Sequence, residues 1–420
     1  MTNVYCLNFP MHLTHLSLTN FRNFSRLDVD VPPGSILVVG DNAQGKTSLL
    51  EAVYYLATLV SFHASSDRQL INFIEARQPL AVARIVADFT RGTSRHNLEI
   101  RLIQENNGQN GVVNGNGAHI RKEVLLDGVK CKASAAVGQF NAVLFLPQMM
   151  GVIEGAPEER RRYLNLALAQ VIAHYPAALS EYTKALTQRN ALLKLLSERQ
   201  GDPVQLDFWD EQIVSNGAQL IFARIHAVQE LERLAARAHR ELTRGAEVLR
   251  LSYQPSYDPL PKQAGQYALP LDAPVDRSGL KLEVIRDGFA ESLRKLRQEE
   301  IARGVTTIGP HRDELRFLAN GMDLGTYGSR GQVRTAMLSL KIAEVGWMHH
   351  KSGQWPVLLL DEVLAELDAN RRQDLLERLT QTEQAMLTTT DLDLFSSEFV
   401  ERAVTWSVHD GRLKMSADRH

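Results

Sequence analysis

The sequence predicts an α/β domain interrupted by a long helical insertion. Three observations carry that expectation. A short apolar run, Ile36-Leu37-Val38-Val39, leads straight into a glycine-bounded loop and a helical pattern. A stretch rich in Leu, Ala, Arg and Glu and poor in glycine runs from Pro157 to about Gly245. After Gly304 the α/β character returns and ends in a second apolar run, Val357-Leu358-Leu359-Leu360. Both runs then belong to one domain, split by the excursion between them. The boundaries are an extension over 1–10, a first α/β part over 11–150, a helical lobe over 151–303 and a second α/β part over 304–420.

The elements follow in order. Alternation at Leu13, Leu16 and Leu18, and again at Leu27, Val29 and Val31, reads as two strands joined near Asn23-Phe24. Pro32-Pro33-Gly34 turns the chain into the run 36–39, whose continuous apolar character suits a strand buried on both faces. A helix is expected from Lys46 to Leu59. Residues 80–146 read as further short strands, interrupted by an Asn/Gly-rich loop from Glu105 to Gly117. Gly201-Asp202-Pro203 breaks the helical lobe. In its second part Ile221, Ile225, Val228, Leu231, Leu234, Ala235 and Ala238 share a helix face. Five of the fifteen prolines fall in 254–280, which marks an irregular connection before a helix over Leu282–Arg303. A strand near Leu315–Leu318, a helix from about Gly331 and the strand Val357–Leu360 complete the order.

Composition excludes several classes. The charged fraction is 23% and Lys plus Arg, 47, nearly balances Asp plus Glu, 49, so any surface for a polyanion must be a local patch. No apolar run is long enough to span a bilayer, and no secretion signal is evident. Two cysteines, Cys6 and Cys131, exclude a disulfide framework and a cysteine-type zinc site, and fit the cytoplasm.

Gly40-Asp41-Asn42-Ala43-Gln44-Gly45-Lys46-Thr47 is a phosphate-loop string in the required strand-to-helix context. Its glycines let the backbone wrap a phosphate and the helix end points its positive pole at the same anion. Lys46 supplies a point charge and Thr47 a hydroxyl for Mg²⁺. Pro356 to Glu362 is an apolar strand ending in two acids. Asp361 is placed to hold Mg²⁺ through water and Glu362 to orient or deprotonate an attacking water. Ser329-Arg330-Gly331-Gln332 precedes another helix and offers a second phosphate-binding helix end, Ser329, Gly331 and Gln332 being its candidate contacts. These elements predict ATP with Mg²⁺ as the ligand. His311 is set aside as a catalytic base. The adjacent His349 and His350 are set aside as metal ligands, because neighbours on a helix point about 100° apart.

Ser329 stands 32 residues before Asp361, and the order of serine-glycine helix, acidic strand and Glu366-Leu367-Asp368 resembles the ABC ATPase superfamily. That resemblance implies an ABC-type head with a helical insertion lobe, in which the serine-glycine pair serves the ATP site of a partner protomer in a homodimer. From Lys46 to Ser329 is 283 residues, too many for a transporter nucleotide domain and too few for a long coiled-coil arm. The insert and the strings Leu16–Phe24, Gly40–Ala52, Gly155–Leu164 and Gly309–Leu315 are similar to the RecF family. The chain departs from the family pattern at Arg330 and Val333, at Glu362 where aspartate is common, and at Asn165. Gln148 follows Pro147 where the family tends to have glutamate. The superfamily implies a glutamine there that touches Mg²⁺ or the lytic water, which makes Gln148 a candidate catalytic and metal-contacting residue.

The resemblance further implies a slow ATPase of the cytoplasm and nucleoid that clamps duplex DNA near single-strand/double-strand junctions. It implies help in loading RecA at gaps together with RecO and RecR. The candidate DNA contacts are Arg233, Arg237, Arg240 and Arg244, spaced to stack on one helix face up to Gly245, with Arg160-Arg161-Arg162 and Arg121-Lys122 as weaker ones. Two rivals differ in class. A nucleotide-gated DNA scaffold would bind ATP without useful turnover, and a transporter nucleotide domain would bind a membrane partner.

Overall fold

The computed structural model describes residues 11–106, 118–260, 275–379 and 382–415. The expected extension over 1–10 lies outside them, as do 107–117 of the Asn/Gly-rich loop and 261–274 of the proline-rich connection. The described residues up to Gln148, with those from Met348 on, form one compact unit, and Met149–Trp347 form another.

The first unit opens with β1 (Met11–Phe21) and β2 (Phe24–Asp30), joined by a turn at Arg22-Asn23, and then β3 (Gly34–Val39). After the loop comes α1 (Lys46–Thr58). Next are β4 (Leu80–Arg91), β5 (Ser94–Asn106), β6 (Ala118–Leu126) and β7 (Val129–Cys131). At 12 and 13 residues, β4 and β5 exceed the short strands expected there. They belong to an antiparallel sheet of order β2-β1-β4-β5-β6-β7, into whose inner face β4 sends Ala81, Ala83, Ile85, Ala87 and Phe89. The short β8 (Ala142–Phe145) follows.

The second unit holds α2 (Pro157–Val171), α3 (Tyr175–Ser197) and α4 (Leu206–Leu242). Six of the seven apolar residues expected on one face of α4 are buried; Leu234 stands at the edge of the stripe and is exposed. Then come β9 (Leu249–Gln254), α5 (Leu282–Arg303), β10 (Glu314–Ala319) and β11 (Met322–Asp323). Fully buried Arg189 of α3 joins Asp210 of α4 and Glu300 of α5, each at 2.7 Å, so one guanidinium bridges a carboxylate on each neighbouring helix, and Arg297 supplies Asp210 with a second cation at 2.6 Å. Arg224 of α4 reaches Asp313 at 2.8 Å and the Pro310 carbonyl at 2.6 Å. That bonding fixes the Gly309–Asp313 block against α4.

The second boundary differs from expectation. Residues 304–347, assigned from composition to the second α/β part, fold with the helical unit. The cause is β10, which pairs antiparallel with β9 and β11 and packs under α2. The helix α6 (Arg330–Ser352) crosses the division near its end.

The chain completes the first unit with β12 (Val357–Asp361), α7 (Ala369–Leu379), β13 (Gln384–Thr389), α8 (Ser397–Arg402), β14 (Val404–His409) and β15 (Arg412–Met415). They build a sheet of order β15-β14-β3-β13-β12-β8, parallel except for the edge strand β15. Every residue of β12 and β13 is buried, as a strand covered on both faces requires. Buried Gln384 at the start of β13 donates to the Leu13 and Pro32 carbonyls and accepts from the Leu13 N–H, stitching the two sheets together. No helix among the described residues is long and apolar enough to cross a membrane.

Candidate functional site

The carboxyl ends of β3, β13 and β12 lie side by side, and the register dictates what meets there. Val38 pairs with Thr388, and Thr388 pairs with Asp361. Thr388 therefore stands between the loop that follows β3 and the acid that ends β12. Its hydroxyl donates to Asp361 Oδ1 at 2.6 Å and accepts the Glu362 N–H at 3.0 Å. From the other side Thr47 Oγ1 donates to Asp361 Oδ2 at 2.9 Å. A hydroxyl and a carboxylate in contact form a hard, all-oxygen donor set, which fits Mg²⁺.

The loop itself is shaped by close packing. At Gly40 a Cβ would lie 2.4 Å from the Val408 carbonyl oxygen, so only glycine permits this approach of β14. Gly45 has φ of 119° and a Cβ there would meet Asn23 Nδ2 at 2.5 Å. The Gln44 carbonyl accepts from Asn23 Nδ2 and the Gly411 N–H, and its side-chain oxygen accepts the Asp410 N–H at 2.7 Å. Gln44 is thus committed to holding the loop against the β14–β15 hairpin. Neither Gly40 nor Gln44 lines the cavity beside the loop.

Asp41, Asn42, Ala43, Gly45, Lys46 and Thr47 do line it. The cavity has a volume of about 1000 Å³ and also receives Arg22, Phe73, Ile74, Gln148, Asp361 and Glu362. α1 begins here with no side chain capping its free N–H groups and no acid in its first turn. The positive pole of the helix is therefore left for an anion. Lys46, only 4% exposed, directs its ammonium to the Gly40 and Asp41 carbonyls at 2.6 and 3.1 Å and to Glu362 Oε1 at 3.1 Å. Glu362 holds a left-handed backbone with φ of 52°, a conformation that costs a β-region residue free energy and recurs at functional sites.

Ser329, Gly331 and Gln332 belong to the second unit. Ser329 and Gln332 form a reciprocal capping box at the start of α6. The Ser329 N–H donates to Gln332 Oε1 at 3.0 Å, and the Gln332 N–H donates to Ser329 Oγ at 3.3 Å. Gln332 also donates to Glu247 at 2.8 Å, so its amide is engaged within the chain. Gly331 is exposed, and a Cβ there would meet nothing closer than Ser329 Oγ at 4.0 Å.

Comparison with known proteins agrees with this geometry. The RecF/RecN/SMC N-terminal domain family has a model that matches residues 12–410. DNA replication and repair protein RecF of Roseiflexus castenholzii is 41% identical over 414 residues, covering 96% of this chain and 99% of that protein. The chain belongs to the RecF family. RecF of Bacillus subtilis (strain 168) is 36% identical over 404 residues, covering 96% of this chain and all of that one. A solved structure of the recombination mediator protein RecF with ATP in the RecFOR pathway superposes with a TM-score of 0.79. It is 28% identical and covers 97% of this chain and 98% of its own.

This RecF-family chain uses more residues around the loop than its sequence motifs name. Arg22 makes a two-pronged ion pair with buried Glu51 of α1 at 2.6 and 2.9 Å, and Glu51 also accepts from Ser61. Asn23 and Thr388 hold the loop and the acid. The threonine run 388–390 that spans the end of β13 is the one sequence feature that could have pointed to Thr388; the roles of Arg22 and Asn23 depend on which turn the fold brings to α1.

The basic candidates divide. Arg233, Arg237 and Arg240 are exposed on the face of α4 opposite its buried stripe. Arg244 is not on that face. α4 ends at Leu242, and Arg244 turns left-handed (φ 53°) while the Gly245 N–H closes on the Arg240 carbonyl at 2.8 Å. Arg160 is bound to Glu314 and to the Ile153 and Gly155 carbonyls, and Arg161 to the Asp313 carbonyl, which spends both on the fold. Lys122 is spent likewise on Asp67 and the Leu59 carbonyl. His311 accepts from Tyr182 at Nδ1 (2.6 Å) and donates from Nε2 to the Thr306 carbonyl, a neutral ring pushed down to a pKa of about 4 by burial. His349 stacks on Trp355 with ring centroids 4.0 Å apart.

Proposed function

We propose that the chain is an ATP-dependent recombination mediator whose nucleotide-bound homodimer clamps duplex DNA near single-strand/double-strand junctions. The observation that carries this reading is the uncapped, Lys46-bearing end of α1 facing the Thr47–Asp361–Thr388 oxygens across the sheet edge, with Glu362 alongside. In it Lys46 and the first N–H groups of α1 bind the phosphates. Thr47 and Asp361 would hold Mg²⁺, with Gln148 on the cavity wall beside them, and the ion would neutralise phosphate charge. Glu362 orients the attacking water and takes its proton. Ser329 and Gly331 of a second copy close the site, which an exposed serine-capped helix end supports. DNA lies on the cationic face of α4. The family's solved member in the RecFOR pathway supports RecR and RecO as partners, with RecA loading as the outcome, in the cytoplasm at the nucleoid.

Hydrolysis is slow and releases the clamp. Glu362→Gln keeps the shape of the site and removes the water-activating charge. ATP binding should persist and dimers accumulate, with turnover falling roughly 10²–10⁴-fold, the range for loss of a general base. Turnover at the wild-type rate in this variant would mean that another group activates water, whereas no turnover in the unchanged chain would make it a nucleotide-gated scaffold.

A further inference from the structure

The capping pair at the start of α6 does not stand alone. Gln332 Nε2 donates to Glu247 Oε1 at 2.8 Å, and Glu247 Oε2 lies 3.1 Å from Nε2 of His239. His239, fully buried in the last turn of α4, places Nδ1 3.0 Å from Ser339 Oγ, and Ser339 gives its proton to the Thr335 carbonyl at 2.6 Å. The bonds form a closed ring. It leaves α6 at its first turn, passes through Glu247 and α4, and re-enters α6 two turns later. Glu247 is itself immobilised, because the adjacent Val248 exchanges bonds with Asn320 at 2.9 and 3.0 Å.

A glutamine at an exposed helix start loses much rotamer freedom when it folds back to cap. Here a carboxylate receives its amide and selects the one rotamer in which Oε1 can take the Ser329 N–H. A charge-assisted bond is the stronger kind, and this one sits one side chain away from the serine. We propose that Glu247 is a positioning residue for Ser329. Through Gln332 it sets the direction of the serine N–H and hydroxyl, and so the shape of the helix end offered to a phosphate. The proposal rests on the reading that Ser329 closes the nucleotide site of a second copy.

The test compares Glu247→Ala, Glu247→Gln, Gln332→Ala and the double Ala variant with Ser329→Arg. ATP affinity of the monomer, kcat, KM and ATP-dependent dimerisation by sedimentation are read for each. Glu247→Ala should lower kcat and dimerisation roughly tenfold, the scale of one lost charge-assisted bond. Monomer affinity for ATP should hold; the melting temperature should hold in Gln332→Ala and fall in Glu247→Ala, where buried His239 loses its carboxylate partner. Glu247→Gln retains an oxygen for the Gln332 amide and should recover most of the loss. In kcat and dimerisation Gln332→Ala should match Glu247→Ala, and the double variant should be no worse than either. Full kcat in Glu247→Ala, or a fall in melting temperature with kcat intact, overturns the positioning role while Ser329→Arg still abolishes dimerisation. If Ser329→Arg itself dimerises and turns over normally, the composite site fails and this proposal with it.

Discussion

At the scale of single residues, His311 shows how burial decides chemistry. Its ring has one donor and one acceptor contact, the pattern of a neutral imidazole, and the ring is held far below the usual histidine range at about 4. In the unfolded chain the same ring titrates near 6.5. The folded form therefore binds fewer protons between those values, and stability must fall as pH drops through that window. The loss amounts to about 3 kcal/mol by pH 4 for a shift of this size. His311→Gln keeps a donor and an acceptor but cannot titrate. Urea unfolding between pH 7.5 and 5 should show a shallower acid loss for the variant; parallel curves would refute the assignment.

At the scale of elements, α4 has a buried face and an exposed cationic one, the second being the proposed DNA surface. Its buried stripe packs the helical unit, and its outer face presents Arg233, Arg237 and Arg240. Phosphate contacts release counterions, so each lost contact flattens the salt dependence of DNA binding by about 0.9 in log–log slope. Replacing the three arginines by alanine should reduce the slope by roughly two to three, since Arg237 is partly spent on Glu241 at 3.2 Å. An unchanged slope would show a merely solvated face. The period of the apolar residues made this helix legible from sequence, as it did α5 and the runs that became β3 and β12. Its end was not legible. Thr243 and Arg244 have ordinary helix propensity, and only the positive φ at Arg244 and Gly245 stops the turn. β9 was missed although Leu249, Leu251 and Tyr253 alternate, because the strand follows immediately on a helical pattern. Once β9 exists, β10 has a partner, and residues 304–347 join the helical unit.

At the scale of the whole molecule, the phosphate loop and the serine-capped helix lie in different compact units, and the proposed dimer is what unites them. Mixing tests this directly. Ser329→Arg leaves its own phosphate loop intact, and Lys46→Ala leaves its own Ser329 intact. In a mixed dimer one site is whole and the other carries both defects. With one working site of two, each mixed dimer should show roughly half of wild-type ATPase, although neither variant turns over alone. No recovery in demonstrated mixed dimers would place Ser329 in its own chain's site or require both sites to fire together. The motif strings named the acid and the lysine correctly as neighbours because a parallel sheet brings strand ends to one edge. They could not name Thr388, Arg22 or Asn23, whose places follow from strand order and from a turn.

The wall of the phosphate loop comes from far along the chain. Val408 closes on Gly40, and Gln44 is held by Asp410 and Gly411, a separation of 366 residues for the Gln44–Asp410 bond. A ribosome that has made the complete loop string has still to reach the β14–β15 hairpin before that wall exists. A nascent chain halted at residue 403 contains Lys46, Thr47 and Asp361 yet lacks the hairpin that sets the loop. The loop thus waits for the β14–β15 hairpin, and a frameshift anywhere in between leaves the motif without its mould.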